Sequence, residues 1–285
     1  MKEITVISGK GGTGKTSITA AFASIAKNAV FADCDVDAAD LHLILKPSVK
    51  KTMDFYGLKI ASIDKDKCID CKKCHNFCAF DAIDEEINLK KSACEGCGVC
   101  KFVCPVDAIQ MKDRKSGFAY ISDTRFGPMA HAHLNTAEEA SGKLVTVVRN
   151  HAKELAEKNA KDLILIDGPP GIGCPVFSAI TGVDLVIVVT EPTYSAIHDL
   201  QRILDVAKHF KTNAVVCINK YNINKENTKK IEEHCSKNKI KIVGKIAYDP
   251  VFTKAMINER TVIEFLEDCE VSKEIKKMWE EIRGG

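Results

Sequence analysis

Gly9-Lys10-Gly11-Gly12-Thr13-Gly14-Lys15-Thr16 is the stretch that decides the fold of this chain. An apolar run, Ile4–Ser8, precedes it and a helical pattern, Thr16–Lys27, follows it. Between a strand and a helix, glycines let backbone N–H groups turn toward phosphate oxygens, and the helix adds its positive N-terminus. The stretch therefore predicts a phosphate-binding loop (P-loop) rather than a chance glycine-rich turn. We expect a nucleotide to contact Gly9, Lys10, Gly11, Gly12, Thr13, Gly14, Lys15, Thr16 and Ser17.

Three side chains of this loop are candidates for nucleotide chemistry. A lysine at the position of Lys15 reaches the β- and γ-phosphates, and a hydroxyl at the position of Thr16 binds Mg²⁺. Lys10 is an additional lysine early in the loop, for which the alternative is a solvated loop lysine.

Outside the loop, strand-like and helix-like patterns alternate along most of the chain. The strand-like runs are continuously apolar, as in buried parallel strands, and they are Ile4–Ser8, Ala29–Ala32, Leu163–Ile166, Leu185–Val189, Ala214–Ile218 and Ile240–Ile246. The helical patterns are Thr16–Lys27, Ala38–Leu45, Ala137–Lys158, Ser195–Phe210, Lys225–Lys237 and Ser272–Ile282. This alternation predicts an α/β fold with a doubly wound, mostly parallel sheet.

Composition and charge exclude several classes of function. Hydrophobic residues make up 45% and charged residues 28% of the 285 residues, as in ordinary globular proteins. The net charge of +2 gives no reason to expect a nucleic-acid surface. No stretch approaches the ~18 uninterrupted apolar residues of a membrane span, and no signal peptide precedes the first strand. We therefore expect a cytoplasmic protein without stable membrane insertion.

Two cysteine runs interrupt the strand–helix rhythm. The first is Cys68-x2-Cys71-x2-Cys74-x3-Cys78, and the second is Cys94-x2-Cys97-x2-Cys100-x3-Cys104. This spacing is typical of iron–sulfur ligation, in which three cysteines of one run and the fourth cysteine of the other hold one cluster. It predicts two [4Fe–4S] clusters, one on Cys68, Cys71, Cys74 and Cys104 and one on Cys94, Cys97, Cys100 and Cys78. Zinc, the competing metal, usually uses paired Cys-x2-Cys clips.

The segment with both runs is interpreted as a small inserted domain. Cys-Ala-Phe-Asp-Ala-Ile at 78–83 matches Cys-Pro-Val-Asp-Ala-Ile at 104–109, which indicates an internal duplication. We expect an α+β domain like a bacterial ferredoxin over 63–113, and a P-loop domain over 1–62 plus 114–285. Disulfides are rare in the cytoplasm, so the cysteines outside the runs are expected to be mostly small buried hydrophobes. They are Cys34, Cys174, Cys217, Cys235 and Cys269.

The additional loop lysine resembles a feature of a known ATPase class. Lys10, in Lys-Gly-Gly-Thr-Gly-Lys-Thr, is similar to the second lysine of the deviant P-loop in the MinD/ParA/nitrogenase-iron-protein class. In that class the lysine crosses a dimer interface to touch the partner's nucleotide. The resemblance implies that Lys10 is catalytic and stabilises charge on the transferring phosphoryl group. It also implies a nucleotide-dependent homodimer, or a heterodimer with a paralogue.

Two aspartates resemble the switch residues of the same class. Asp35, in Asp33-Cys34-Asp35-Val36-Asp37, matches the switch I carboxylate that positions the metal and the attacking water. Asp167, in Asp167-Gly168-Pro169-Pro170-Gly171, matches the switch II residue that holds Mg²⁺ through water, and the Gly171 region senses the γ-phosphate. The alternative for either aspartate is a helix N-cap.

Two segments are candidates for contact with the nucleotide base. Asn219-Lys220-Tyr221-Asn222 ends the fifth core strand. GTPases have an aspartate at the fourth position, and Asn222 cannot supply that charged acceptor, so ATP is favoured over GTP. Asp249-Pro250 resembles the base-contacting loop of the class, with the alternative that Pro250 only starts a helix.

As a whole, the chain resembles MinD-superfamily ATPases that contain an inserted ferredoxin domain. Motifs such as Glu191-Pro192-Thr193 and Gly171-Ile172-Gly173-Cys174-Pro175 agree without assigning chemistry. By similarity to nitrogenase iron protein, Cys174 is a candidate ligand of a bridging cluster, and the alternative is a buried structural cysteine. MinD has a membrane-binding tail where this chain has an apolar stripe, but the acidic flanks favour docking of the stripe onto the sheet. The stripe is Ile275, Met278, Trp279 and Ile282.

The resemblance leads to three functional hypotheses. In the first, an ATP-driven dimer switch gates electron transfer through the two clusters to a partner redox protein. In the second, the chain is an assembly or maturation factor that delivers clusters or another metal cofactor to a client metalloprotein. The third, a positioning ATPase like MinD, leaves the cysteine runs unexplained.

Overall fold

The computed structural model describes residues 1–136, 138 and 140–284. In this part of the chain the strands are β1 (Lys2–Ser8), β2 (Ala29–Asp33), β3 (Ser48–Ile63), β4 (Ile109–Thr124), β5 (Gly127–Leu134), β6 (Leu163–Pro170), β7 (Leu185–Thr190), β8 (Ala214–Asn219) and β9 (Lys241–Ile246). The helices are α1 (Lys15–Ile25), α2 (Leu41–Leu45), α3 (Lys73–Asn76), α4 (Val99–Phe102), α5 (Ser141–Lys158), α6 (Cys174–Ile180), α7 (Tyr194–His209), α8 (Lys225–Lys237), α9 (Val251–Ile257), α10 (Val262–Phe265) and α11 (Glu270–Gly284). A 3-10 turn covers Lys91–Ala93.

The strands form a sheet in the order β3-β4-β5-β2-β6-β1-β7-β8-β9. The pairs from β5 to β9 in this order are all parallel. Parallel neighbours need crossover connections, and α1, α5, α6, α7 and α8 lie between these strands in the chain. The predicted doubly wound, mostly parallel α/β sheet is confirmed.

Several predicted elements differ from the structure. The helix expected over Ala38–Leu45 begins only at Leu41, because a turn in which Ala38 N–H donates to the Asp35 carbonyl comes first. The helix expected over Ala137–Lys158 is described from Ser141, and Ala137 and Glu139 lie outside the described residues. Strands β3, β4 and β5 were not among the predicted strands, and β3 and β4 lack a continuous apolar run because exposed residues interrupt them.

The chain divides into two compact units. The first consists of Met1–Met53, Ala119–His133 and Ser141–Gly285, and the second consists of Asp54–Phe118 and Leu134–Ala140. Both cysteine runs belong to the second unit, and the P-loop belongs to the first. The bounds 63–113 for an independent ferredoxin-like domain stay a prediction.

The C-terminal helix contributes to the core of the first unit. The apolar stripe of α11 is buried, and the Trp279 ring lies 5.1 Å from the Phe22 ring of α1, centroid to centroid. Docking of this stripe, predicted from its acidic flanks, is confirmed. Among the described residues, no helix combines the length and apolar character that crossing a bilayer requires.

Candidate functional site

The P-loop has the backbone that its glycines predict. Gly12 and Gly14 have φ values of +78° and +90°, which L-residues with a side chain rarely adopt. Gly14 is the N-cap of α1, and its carbonyl accepts the first intrahelical hydrogen bond from Ile18. Since α1 begins at Lys15, its free N–H groups and positive end lie at the loop, as anion binding requires.

The predicted catalytic carboxylates and the loop residues come together at the ends of β2 and β6. Nζ of Lys15 lies 2.9 Å from Oδ1 of Asp167 and 3.4 Å from Oδ2 of Asp35. Thr16 Oγ1 donates to the other Asp167 oxygen at 2.8 Å, and Thr19 Oγ1 donates to Asp167 at 3.0 Å. Neither aspartate caps a helix, so the N-cap alternative is wrong for both.

Burial and the opposite charges of Lys15 and the aspartates compete in the electrostatics of this cluster. Burial raises the pKa of Asp35 to about 6, against the opposing attraction of Lys15. Burial lowers the pKa of Lys15, but the charges of Asp167 and Asp35 outweigh it and leave that pKa above the ordinary value. Lys15 therefore remains protonated and neutralises the carboxylates around it.

Asp33 is a third carboxyl of this cluster, and the sequence did not single it out. It is fully buried, and its oxygens accept from the backbone N–H groups of Asp35 and Leu41, each at 3.2 Å. Burial and the Asp167 charge raise its pKa well above the ordinary value. By holding two backbone groups, Asp33 fixes the turn that carries Asp35.

Asn219 and Lys220 contact the P-loop backbone. Asn219 Nδ2 donates to the Thr13 carbonyl at 2.7 Å, and Lys220 Nζ donates to the Gly12 carbonyl at 2.8 Å. Both residues thus tie the end of β8 to the loop. Their expected contact with the nucleotide base stays a prediction.

The remaining predicted nucleotide contacts lie on the same unit. Asp249 Oδ1 accepts from Val251 N–H at 2.8 Å and Pro250 is the N-cap of α9, so this dipeptide does start a helix. Ser17 Oγ lies 3.4 Å from Sδ of Met256 in α9. Gly171 follows β6 with φ +93°, and its N–H donates to the Ser8 carbonyl at 2.8 Å. Roles toward base or phosphate stay predictions for these residues.

Lys10 contacts residues of its own chain. Its Nζ lies 2.7 Å from Oε1 of Glu191 and donates to Thr193 Oγ1 at 3.0 Å. Lys10 is therefore not a solvated loop lysine, and that alternative is wrong. A role of Lys10 across a dimer interface stays a prediction. Glu191 was quoted only as part of a motif, and its position directly after the apolar strand β7 was the available signal.

In the second unit, the eight run cysteines surround two cavities. Cys68, Cys71, Cys74 and Cys104 line one cavity. Cys78, Cys94, Cys97 and Cys100 line the other. Each cavity thus takes three cysteines from one run and the fourth from the other, which is the division that the spacing predicts.

The duplication seen in the sequence also appears in the backbone. Ala82 N–H donates to Sγ of Cys78 and Ala108 N–H donates to Sγ of Cys104, both at 3.3 Å. Left-handed φ values recur at the same places in both runs, in the pairs Asp70 and Gly96, Lys72 and Gly98, and Asp81 and Asp107. The two halves therefore present their cysteines on the same local geometry.

Arg114 is a supporting residue that the sequence did not indicate. Its guanidinium pairs with Glu138 at 2.5 Å and donates to the carbonyls of Lys91 and Cys94 at 3.0 and 3.2 Å. It fixes the backbone where the second run begins.

Outside the runs, burial of the cysteines is mixed. Cys34, Cys217 and Cys235 are buried and Cys269 is partly buried, as expected for small hydrophobic residues. Cys174 is exposed at the first position of α6, so the buried alternative for this residue is wrong. The exposure of Cys174 does not by itself provide the second cysteine that a bridging cluster would need.

Comparison with known proteins identifies the family. The family model of the CobQ/CobB/MinD/ParA nucleotide binding domain matches residues 4–262. The chain belongs to this family. An uncharacterized protein of Methanocaldococcus jannaschii is 34% identical over 284 residues, which cover 99% of this chain and 96% of that protein. The cell division ATPase MinD of Pyrococcus furiosus has a TM-score of 0.61 at 19% identity, covering 99% of this chain and 98% of that chain.

A shorter match concerns a different kind of protein. Over 53 residues the chain is 49% identical to the pyruvate synthase subunit PorD of Methanothermobacter marburgensis, and this match covers 19% of this chain and 65% of PorD.

A second solved structure agrees with the MinD match. MinD of Pyrococcus horikoshii, solved in complex with Mg-ADP, has a TM-score of 0.60 at 18% identity, and the match covers 99% of this chain and 95% of that chain. The structural comparisons establish a MinD-like fold for the nucleotide-binding part.

Proposed function

We propose that the chain is an ATP-hydrolysing iron–sulfur protein in which a nucleotide-dependent dimer switch gates electron transfer through two [4Fe–4S] clusters to a partner redox protein. The observation that carries this proposal is the division of the eight cysteines between two cavities of similar size. The 53-residue match to PorD adds support for an iron–sulfur segment.

The cysteine unit fits clusters better than single metal ions. Among the described residues, no three His, Cys, Asp or Glu side chains converge as they would around one ion. The sulfurs surround cavities instead, as an extended cluster with four thiolate ligands requires. Cys68, Cys71, Cys74 and Cys104 would hold one cluster, and Cys78, Cys94, Cys97 and Cys100 the other. When bound, such clusters supply one-electron transfer.

In this proposal the first unit binds and hydrolyses ATP with Mg²⁺. The loop N–H groups and the start of α1 receive the phosphates, and Lys15 exchanges Asp167 for a phosphate oxygen. Thr16, Asp35 and Asp167 would hold Mg²⁺, which would supply charge stabilisation, and would orient the attacking water. Because Asp167 accepts from Lys15, Thr16 and Thr19, phosphate binding at the loop must rearrange the bonds of the switch II strand β6.

A shared chain gives the two activities a means of coupling. If ATP favours one global state of the protein and the clusters of that state have a different midpoint potential, then linkage requires that nucleotide binding and redox state influence each other. Stopped-flow oxidation of the anaerobically reduced protein, with and without Mg-ATP, tests this. We expect ATP to change the oxidation rate, and an unchanged rate in a protein that holds about eight irons and hydrolyses ATP would contradict the proposal.

A maturation factor is the second candidate, and the exposure of Cys174 favours it. An accessible thiol just after switch II could bind a cluster in transit to a client metalloprotein. Iron transfer to an apo-client that Cys174→Ala abolishes, while Cys68→Ala does not, would favour this function over gated electron transfer. A MinD-like positioning role has less support, because the apolar stripe of α11 is buried.

A further inference from the structure

Glu191 lies between two lysines of the nucleotide site and contacts both. One carboxylate oxygen lies 2.7 Å from Nζ of Lys10, and the other lies 2.8 Å from Nζ of Lys220. Burial acts to raise the pKa of Glu191, but the hydrogen bonds from the two lysines outweigh it and lower that pKa. The carboxylate is therefore charged at neutral pH and attracts both ammonium groups.

Lys10 has further anchors on its own chain. Its Nζ donates to Oγ1 of Thr193, the N-cap residue of α7, at 3.0 Å. Its backbone is fixed as well, because Ser8 Oγ donates to the Lys10 carbonyl at 2.8 Å. The side chain is only 31% exposed. To reach the nucleotide of a partner, Lys10 must first give up Glu191 and Thr193.

Lys220 makes this exchange possible without leaving a buried charge alone. Its Nζ contacts Glu191 and also the Gly12 carbonyl, each at 2.8 Å. When Lys10 departs, Lys220 still neutralises the Glu191 side chain, of which 12% is exposed. The large penalty for a buried carboxylate without a partner is thereby avoided.

We propose that Glu191 is a positioning residue that retains Lys10 on its own subunit and releases it when two ATP-bound subunits associate. This inference rests on the proposed function, in which Lys10 acts on the partner's nucleotide. Retention opposes association, since the ion pair and the Thr193 hydrogen bond are lost when Lys10 crosses the interface. Glu191 thus sets the protein concentration at which the dimer forms.

Sedimentation velocity with Mg²⁺ and a non-hydrolysable ATP analogue measures the dimer dissociation constant. Glu191→Gln keeps the shape of the side chain and removes its charge, so we expect association to tighten about threefold to tenfold. This tightening of association must disappear in a Lys10→Ala background, where there is no Lys10 side chain for Glu191 to retain. It must persist in a Lys220→Met background. An unchanged or weaker association of folded Glu191→Gln, or a gain that does not depend on Lys10, would overturn the proposal.

Amine labelling of the nucleotide-free protein tests retention without association. Limiting acetic anhydride, read out by peptide mass spectrometry, should modify Lys10 several-fold faster in Glu191→Gln than in the wild type, with the exposed Lys27 as internal reference. Equal labelling would overturn retention of Lys10 by Glu191. Faster labelling together with a wild type that never associates in ATP would instead refute the dimer switch of the proposed function and leave the contact established.

Discussion

Replacing Gly14 with alanine tests the packing of the phosphate-binding loop. A Cβ on Gly14, at φ +90°, would lie 2.3 Å from Nδ2 of Asn219. Asn219 is only 4% exposed and donates to the Thr13 carbonyl at 2.7 Å, so its amide would have to withdraw from that carbonyl. Gly12 is the matched control, because it has φ +78° and a Cβ there would meet nothing within 4 Å.

The expected losses of stability follow from two contributions. The left-handed backbone costs an alanine about 1 kcal/mol at either position. Gly14→Ala adds about 1–3 kcal/mol, because the displaced amide leaves a buried polar group without its partner. The free energy of unfolding should therefore fall by about 2–4 kcal/mol for Gly14→Ala and by about 1 kcal/mol for Gly12→Ala.

Urea unfolding followed by tryptophan fluorescence measures these losses. The chain has one tryptophan, and Trp279 packs on Phe22 of α1, so its fluorescence reports the unit that carries the loop. Asn219→Ala removes the obstructing amide, and in that background Gly14→Ala should cost only about 1 kcal/mol. Equal losses for the two glycines, or additive losses for Gly14→Ala and Asn219→Ala, would refute the reasoning.

Three further predictions concern the chemistry of the two sites. The kcat/KM for ATP should rise about tenfold per pH unit up to about 6, because burial raises the pKa of Asp35 to about 6 and its proposed role needs the charged form. Lys10→Ala should retain nucleotide binding and lose most ATP hydrolysis, as measured by phosphate release. Cys68→Ala should lose about half of the bound iron and sulfide, and Cys174→Ala, outside both cavities, should lose none.

Each of these predictions has a contradicting result. An acidic limb near pH 6 that persists unchanged in Asp35→Asn would show that another group titrates. An undiminished hydrolysis rate in Lys10→Ala would exclude the lysine from phosphoryl transfer. Equal iron loss in Cys68→Ala and Cys174→Ala would contradict the assignment of ligands to the two runs.

The parts of the fold that the sequence predicts are those with a local signature. β1, β2, β6, β7 and β8 are buried on both faces and therefore appear as continuous apolar runs. Half of β3 is exposed and β4 mixes buried, partly buried and exposed residues, so neither strand carries such a run. Their extended backbone depends on pairing within the sheet rather than on local hydrophobic pattern.

The candidate site was predictable where a motif names the residue. Lys15, Thr16, Asp35 and Asp167 follow from their spacing, and the structure brings them together. Thr19 could have been found, since it lies four residues after Lys15 and so on the same face of α1. Lys10 and Glu191 are far apart in the sequence, so no local sequence pattern predicts that their side chains are in contact.

The two cysteine runs show both what the sequence predicts and where it is silent. Glycines at 96 and 98 indicate left-handed positions in the second run. Asp70 and Lys72 of the first run also have left-handed φ values, although neither is a glycine that would indicate such a position. The left-handed positions of the first run could have been predicted only from its internal similarity to the second run.

Anaerobic redox titration of the protein without nucleotide, with Mg-ADP and with a non-hydrolysable Mg-ATP analogue tests the coupling of ATP and electron transfer most directly. Coupling predicts that the midpoint potential of the clusters shifts in the ATP-analogue form. It also predicts that this shift is absent in the Asp167→Asn variant, although the variant binds as much iron as the wild type. Midpoint potentials that are the same in all three forms, in a protein that binds both nucleotides, would contradict it.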